Sequence, residues 1–106
     1  MRTLMKEMEK RLGNRENLVL TTIISASGAT PRGAGARMLV NASGRVCGTI
    51  GGGAVEYRSI LMAQNVLREK QSRTEDLTLN KNDVKNLGMI CGGDVRVLFQ
   101  YINRGE

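Results

Sequence analysis

Three consecutive glycines, Gly51, Gly52 and Gly53, stand between an apolar stretch ending at Ile50 and a segment of helical periodicity, AVEYRSILMAQNVLREK. Backbone N–H groups at a helix start attract anions, so a phosphate or carboxylate is the guest such a turn would take. Glycine suits the place twice over: it accepts φ above zero, and its missing Cβ lets a ligand come close to the main chain. A plain strand-to-helix turn needs one Gly or two, and three in a row carry an entropic penalty that favours ligand approach. Glu56 lies three residues after Gly53 and falls among Ser59, Ala63 and Leu67 on a helical wheel. It either complements the helix dipole and bonds back to the N–H groups of the turn, or it faces a ligand through a ring N–H or an ordered cation.

Cys91, followed by Gly92 and Gly93, is the second candidate. Its thiol could reach a ligand or a metal if nearby N–H groups or Arg lower its pKa, whereas apolar neighbours would make it a packing group. Cys47 has the alternating neighbours of a strand and is assigned to packing. Arg32 and Arg37 flank a third glycine-bearing stretch, GATPRGAG, and could pair with phosphate. Surface charge is the other reading of both, and for Arg37 a solvent-facing strand position. Gly28 to Gly33 and Gly48 to Gly53 each give G-x-x-x-x-G, but Ala34 and Ala54 stand where a phosphate loop needs Lys. Gly33-Ala34-Gly35 begins a dinucleotide fingerprint whose third glycine position holds Met38. ATPase, GTPase and unaided NAD-binding functions are therefore disfavoured.

The elements that must hold these residues follow from periodicity. Met1, Leu4, Met5, Met8 and Leu12 give a short amphipathic helix over about 1–12, whose Met stripe is expected to pack on the domain's own sheet. Leu18 to Ser27 is β-branched and apolar on both faces, an interior strand. ARMLV and the stretch from Arg45 to Ile50 form a hairpin about Ala42 to Gly44. After the glycines, Val55, Ser59, Met62, Ala63, Val66 and Leu67 make one stripe of a helix. Arg73 to Leu79 reads as a strand, Asn82 to Asn86 as a short turn of helix, and Asp94 to Ile102 as a last strand with Val95, Val97, Phe99 and Tyr101 on one face. Strands and helices interleave without a clean βαβ repeat, which predicts an α/β fold: a mixed sheet with helices packed against it, in a single small domain over residues 1–106.

Composition narrows the function. The 106 residues carry 16 Lys and Arg against 10 Asp and Glu, a net charge of +6 that favours an anionic partner. Only three aromatic residues occur, Tyr57, Phe99 and Tyr101, too few for the stacking platform of a nucleic-acid binder. With no His and two Cys, a four-ligand zinc site and the usual His-based hydrolase chemistry are disfavoured, and an enzyme is the less favoured class. A core of this size would gain from a second subunit, which favours a homodimer. No stretch approaches the ~20 apolar residues of a membrane span and the amino terminus has no signal core, so no membrane and a cytoplasmic location are expected.

Taken together, SASGATPRGAGARMLV, GRVCGTIGGGAVE and LGMICGGDVRVLF resemble, in order and spacing, the amino-terminal domain of the xanthine dehydrogenase accessory (XdhC/CoxI) family. The resemblance runs from about Leu18 to Phe99, with its glycine motifs at 28–35, 48–53 and 88–93. It implies transient binding of the molybdenum cofactor (molybdopterin) and its delivery, as a chaperone, to a xanthine dehydrogenase-type molybdenum hydroxylase, with no catalysed reaction. On that reading Gly51, Gly52, Gly53, Glu56, Cys91, Gly92, Gly93, Arg32 and Arg37 contact the cofactor, and Cys91 faces molybdenum or its sulfur ligand. The family usually continues into a Rossmann-like domain after this region, and Ala54 stands where many members show Cys. An alternative expectation is therefore an interaction module that binds cofactor only with a separate Rossmann-like partner.

Overall fold

The computed structural model describes residues 2–28, 33–79 and 93–103. Its elements are α1 (Arg2–Gly13), β1 (Leu18–Gly28), β2 (Arg37–Asn41), β3 (Gly44–Gly48), α2 (Gly53–Glu69), β4 (Arg73–Leu79) and β5 (Gly93–Ile102). The short helix expected at Asn82 to Asn86 lies outside the described residues, as do Arg32, Cys91 and Gly92.

The strands form one five-stranded sheet in the order β3-β2-β1-β5-β4. β1 takes the centre because its residues tolerate burial on both faces: Val19, Thr21 and Ile23 are buried on one side, Leu18 and Thr22 on the other. A register shift between Ile23 and Ser25 lets Ile24 bulge out, 42% exposed. The β2–β3 turn is closed by the Asn41 side chain, whose Oδ1 accepts the Ser43 N–H at 2.9 Å.

The α/β architecture agrees with the sequence reading, but the sheet is antiparallel throughout where a mixed one was expected. α2 does connect two strands of the same direction, β3 and β4. They occupy opposite edges of the sheet, so the crossover creates no parallel pair.

α2 crosses one face and touches all five strands. It buries Ala54, Val55, Ser59, Ala63 and Val66, with Met62 and Leu67 packed partly against the core. Opposite them lie Val19, Ile23, Met38, Val40, Val95, Val97 and Phe99, the inward rows of β1, β2 and β5, with Tyr101 at the margin. The helix ends where Lys70 adopts a left-handed φ of 55° and donates its N–H to the Val66 carbonyl. α1 lies over β2 and β3 on the other face. It buries Leu4, whereas Met5 remains 49% exposed, so only part of the stripe packs on the sheet. Arg11 anchors it, binding Glu7 at 3.1 Å and Glu16 at 2.9 Å, while Asn41 Nδ2 donates to Glu16 at 2.7 Å.

Candidate functional site

Antiparallel pairing brings the strand ends that flank the glycine-bearing stretches to one end of the sheet. β1 and β3 run towards this end and β4 finishes at it, while β2, α2 and β5 start from it. The ends joined by 29–36, 49–52 and 80–92 therefore share one pole. Arg58, in the second turn of α2, ties the parts together by donating from Nη1 to the Thr78 carbonyl at 3.2 Å. Thr78 pairs with Asp94 and Leu79 with Gly93, at the point where the segment carrying Cys91 and Gly92 enters the sheet.

The turn before α2 is built on unusual backbone. Gly51, Gly52 and Gly53 have φ of 122°, 74° and 60°. Gly52, the N-cap, combines its φ with a ψ of −169°, a region open to glycine almost alone. A Cβ placed on Gly52 would meet nothing within 4 Å, so this glycine borders open space and its conformation, not crowding, demands the residue type.

Glu56 answers the question its position raised. Its Oε1 accepts the Thr49 hydroxyl at 2.5 Å, the Gly52 N–H at 3.1 Å and the Ile50 N–H at 3.2 Å. Oε2 lies 3.5 Å from Arg45 Nε, and Arg45 Nη1 donates to the Gly48 carbonyl at 2.7 Å. The Gly51 N–H is taken by Thr49 Oγ1 at 3.0 Å. The expectation of bare amides at Gly51, Gly52 and Gly53 is thus corrected at the first two: the Thr49 hydroxyl takes the Gly51 N–H, and the Glu56 carboxylate takes the Gly52 N–H together with that of Ile50. Burial explains the arrangement, because N–H donors in a partly buried turn cost free energy when unpaired, and a side chain tethered one helical turn away is always at hand.

The chemistry offered to a guest changes accordingly. A carboxylate in the turn opposes a bare phosphate at those amides. It leaves Oε2 as an acceptor for a donor such as a ring N–H, with Arg45 beside it. Arg37 is exposed on the sheet face opposite α2, and it lines a depression of about 300 Å³ together with Thr49, Gly48, Cys47 and Leu4. Thr49 borders this depression and also bonds the Glu56 carboxylate. Cys47 is half-buried against Leu39 in the β2–β3 pair, and burial, with Glu7 adding to it, pushes its thiol up despite Arg11 and Arg45 nearby. Packing is the role this environment supports. Among the described residues no group of three or more His, Cys, Asp or Glu is placed to hold a metal ion, and no helix is long and apolar enough to cross a membrane.

Thr49, Arg45 and Arg58 were not among the residues singled out from the sequence. Thr two residues before a glycine whose N–H it accepts is a recognisable turn signal, and it could have been found. Arg45 and Arg58 carry no such mark, since nothing local says which carbonyl a long side chain will reach.

The model of the XdhC and CoxI family matches residues 12–78, from the end of α1 through most of β4. Over 78 residues the chain is 37% identical to the uncharacterized protein YqeB of Escherichia coli (strain K12), a match that takes in 74% of this chain and 14% of YqeB. A crystal structure described as a xanthine dehydrogenase, from Bacillus halodurans, superposes with a TM-score of 0.69 at 27% identity, over 92% of this chain and 30% of that one. The chain spans less than a third of the length of either relative.

Proposed function

The chain belongs to the XdhC and CoxI family, and on that premise we propose that it binds the molybdenum cofactor at the glycine pole and passes it to a xanthine dehydrogenase-type hydroxylase. The observation that supports this reading is that the strand ends flanking the three glycine-bearing stretches lie at one end of the sheet. The donor set suits an anionic pterin. Glu56 Oε2 would accept from a pterin ring N–H, Arg32 and Arg37 would pair with the phosphate, and Gly51, Gly52 and Gly53 would let the ring lie against the main chain. Cys91, with Gly92 and Gly93, would bring a thiol to molybdenum or its sulfur ligand. The cofactor is cargo in this scheme, and residues 1–106 act as one domain of a cytoplasmic homodimer that catalyses no reaction of its own.

A second reading is favoured by the same hydrogen bonds that fill the turn. With Ile50, Gly51 and Gly52 N–H already satisfied, the domain would serve as an interaction module that holds cofactor only beside a Rossmann-like partner. Cofactor retention after gel filtration separates the two, measured on the wild type, Cys91→Ala and Cys47→Ala. The first reading expects the wild type to retain cofactor alone and Cys91→Ala to lose at least several-fold more than Cys47→Ala. Equal losses would remove Cys91 from the site, and no retention without a partner domain would favour the module.

A further inference from the structure

On the sheet face opposite α2, α1 lies over β2 and β3, while Ser25, Asp76, Thr78, Asp94 and Arg96 of β1, β4 and β5 are exposed. These five are among the residues lining a depression of about 410 Å³ at the glycine pole. That volume is enough for a small ring. Strand register arranges the side chains in two rows across the sheet, because paired residues share a face: Ser25, Arg96 and Asp76 in one, Asp94 and Thr78 in the next.

The two rows differ in what they leave unpaired. Arg96 donates from Nε to Asp76 Oδ1 at 2.8 Å and from Nη2 to Oδ2 at 3.4 Å, so these two charges answer each other. Asp94 makes no side-chain hydrogen bond or ion pair among the described residues, although the chain carries a net charge of +6. Both of its oxygens remain free to accept. Glu56 is placed differently, since its Oε1 already takes three donors and Oε2 lies beside Arg45, which leaves room for a single further N–H and not for two side by side. A pterin presents such a pair: the amino N–H and the neighbouring ring N–H of its pyrimidinone edge, followed by a carbonyl oxygen. A carboxylate with two free oxygens meets adjacent donors in charge-assisted, bidentate fashion. The Thr78 hydroxyl, opposite Asp94 in the β4–β5 pairing, supplies a donor for the carbonyl.

We infer that Asp94 selects the pterin ring, accepting its amino and ring N–H groups together while Thr78 serves the adjacent carbonyl. This rests on the cofactor-binding function proposed above and adds the residue that tells this ring from others. The placement also suits the rest of the ligand. Arg37, opposite Thr22 on β1, is exposed on the same face as Asp94, which stands opposite Ser27. Allowing for the bulge in β1, the two backbones are about four strand residues apart along the sheet and two strand spacings across it, roughly 16 Å. One face therefore carries an acceptor for the ring at one end and a cation for the phosphate at the other.

The test follows binding of 6-hydroxymethylpterin to the full chain by its fluorescence, with molybdenum retention measured separately. Lumazine is the comparison ligand, because an oxo group replaces the amino group and turns an oxygen towards the carboxylate. The wild type is expected to bind the pterin at least tenfold more tightly than lumazine. Asp94→Asn is expected to weaken pterin binding at least tenfold and to bring the two ligands within about twofold, a change of preference that a merely structural role would not produce. Glu75→Gln removes a carboxylate from the same strand pair on the α2 side and is expected to keep the wild-type preference. Circular dichroism melts confirm that the variants fold. Guanosine monophosphate offers the same donor pair and is expected to bind at least tenfold more weakly than the pterin; the reverse order would overturn the assignment to a pterin. A wild type without preference for the pterin over lumazine, or an Asp94→Asn chain that keeps it, overturns the role of Asp94 even where molybdenum is retained. Pterin preference without molybdenum retention overturns the cofactor reading and leaves Asp94 in place, and a chain that shows neither overturns both.

Discussion

Gly48→Ala is expected to destabilise the fold by about 3 kcal/mol, combining the cost of a positive φ for a residue with Cβ and the cost of overpacking. Gly48 ends β3 with φ of 77°, and a Cβ there would lie 2.5 Å from the Arg37 carbonyl, 3.0 Å from Leu4 Cδ1 and 3.2 Å from Met38 Cα. Two of those three neighbours are backbone of β2, held in register by the ladder to β1, and cannot step aside as a side chain could. For a domain of this size the loss corresponds to roughly 10–20 °C in Tm. Gly44→Ala isolates the backbone part, because its φ is 129° but nothing lies within 4 Å of a Cβ there. It should lose about 1–2 kcal/mol. Gly13→Ala, with open space and no positive φ, should melt as the wild type does. A Gly48→Ala melt within a few degrees of Gly13→Ala would contradict the packing described at the β2–β3 edge. The same position leads into Thr49 and the glycine turn, so a shift there disturbs the pole as well as stability.

Glu56→Ala is the second large effect. It leaves the Thr49 hydroxyl and the Ile50 and Gly52 N–H groups without their acceptor, and an alanine can offer nothing in its place. Water reaches part of this turn, so the expected loss is about 2–3 kcal/mol and not the full sum of three buried donors. Glu56→Gln keeps an oxygen of the right shape but loses the charge that strengthens these bonds, and should lose about 1 kcal/mol. The contact with Arg45 contributes little to either figure, because that side chain is 48% exposed. Amide hydrogen exchange localises the effect. Ile50 and Gly52 are expected to exchange slowly in the wild type, faster in Glu56→Gln and fastest in Glu56→Ala. Unchanged protection in Glu56→Ala would mean that the carboxylate does not hold the turn.

Most of the scaffold was legible because its signals are local. The β-branched run from Leu18, the alternation in Val95, Val97, Phe99 and Tyr101, and the stripe on α2 each follow from a period that burial imposes on one element. Strand order was not legible. It depends on which edge the chain returns to after α2, and no residue within α2 or β4 records that choice. Glu56 shows a finer limit: its place on the helical wheel raised both bonding back and facing a ligand, and only the position of Ile50 and Gly52 relative to the first turn of α2 decides for bonding back through Oε1. The Met stripe of α1 was legible in its existence and not in its depth, because the sheet edge it covers is two strands wide and accepts Leu4 but not Met5. Cys91, Gly92 and Arg32 lie outside the described residues, and their part in the site rests on the motifs that carry them.

The central claim is that the glycine pole of this fold holds the molybdenum cofactor, and the content of the protein itself tests it most directly. Protein purified from cells that make the cofactor is analysed for molybdenum by mass spectrometry and for pterin by fluorescence after oxidation. The account predicts both in matching amounts, with both falling in Cys91→Ala and in Gly52→Val. Protein that carries neither, and that still takes up neither after incubation with released cofactor, would contradict it.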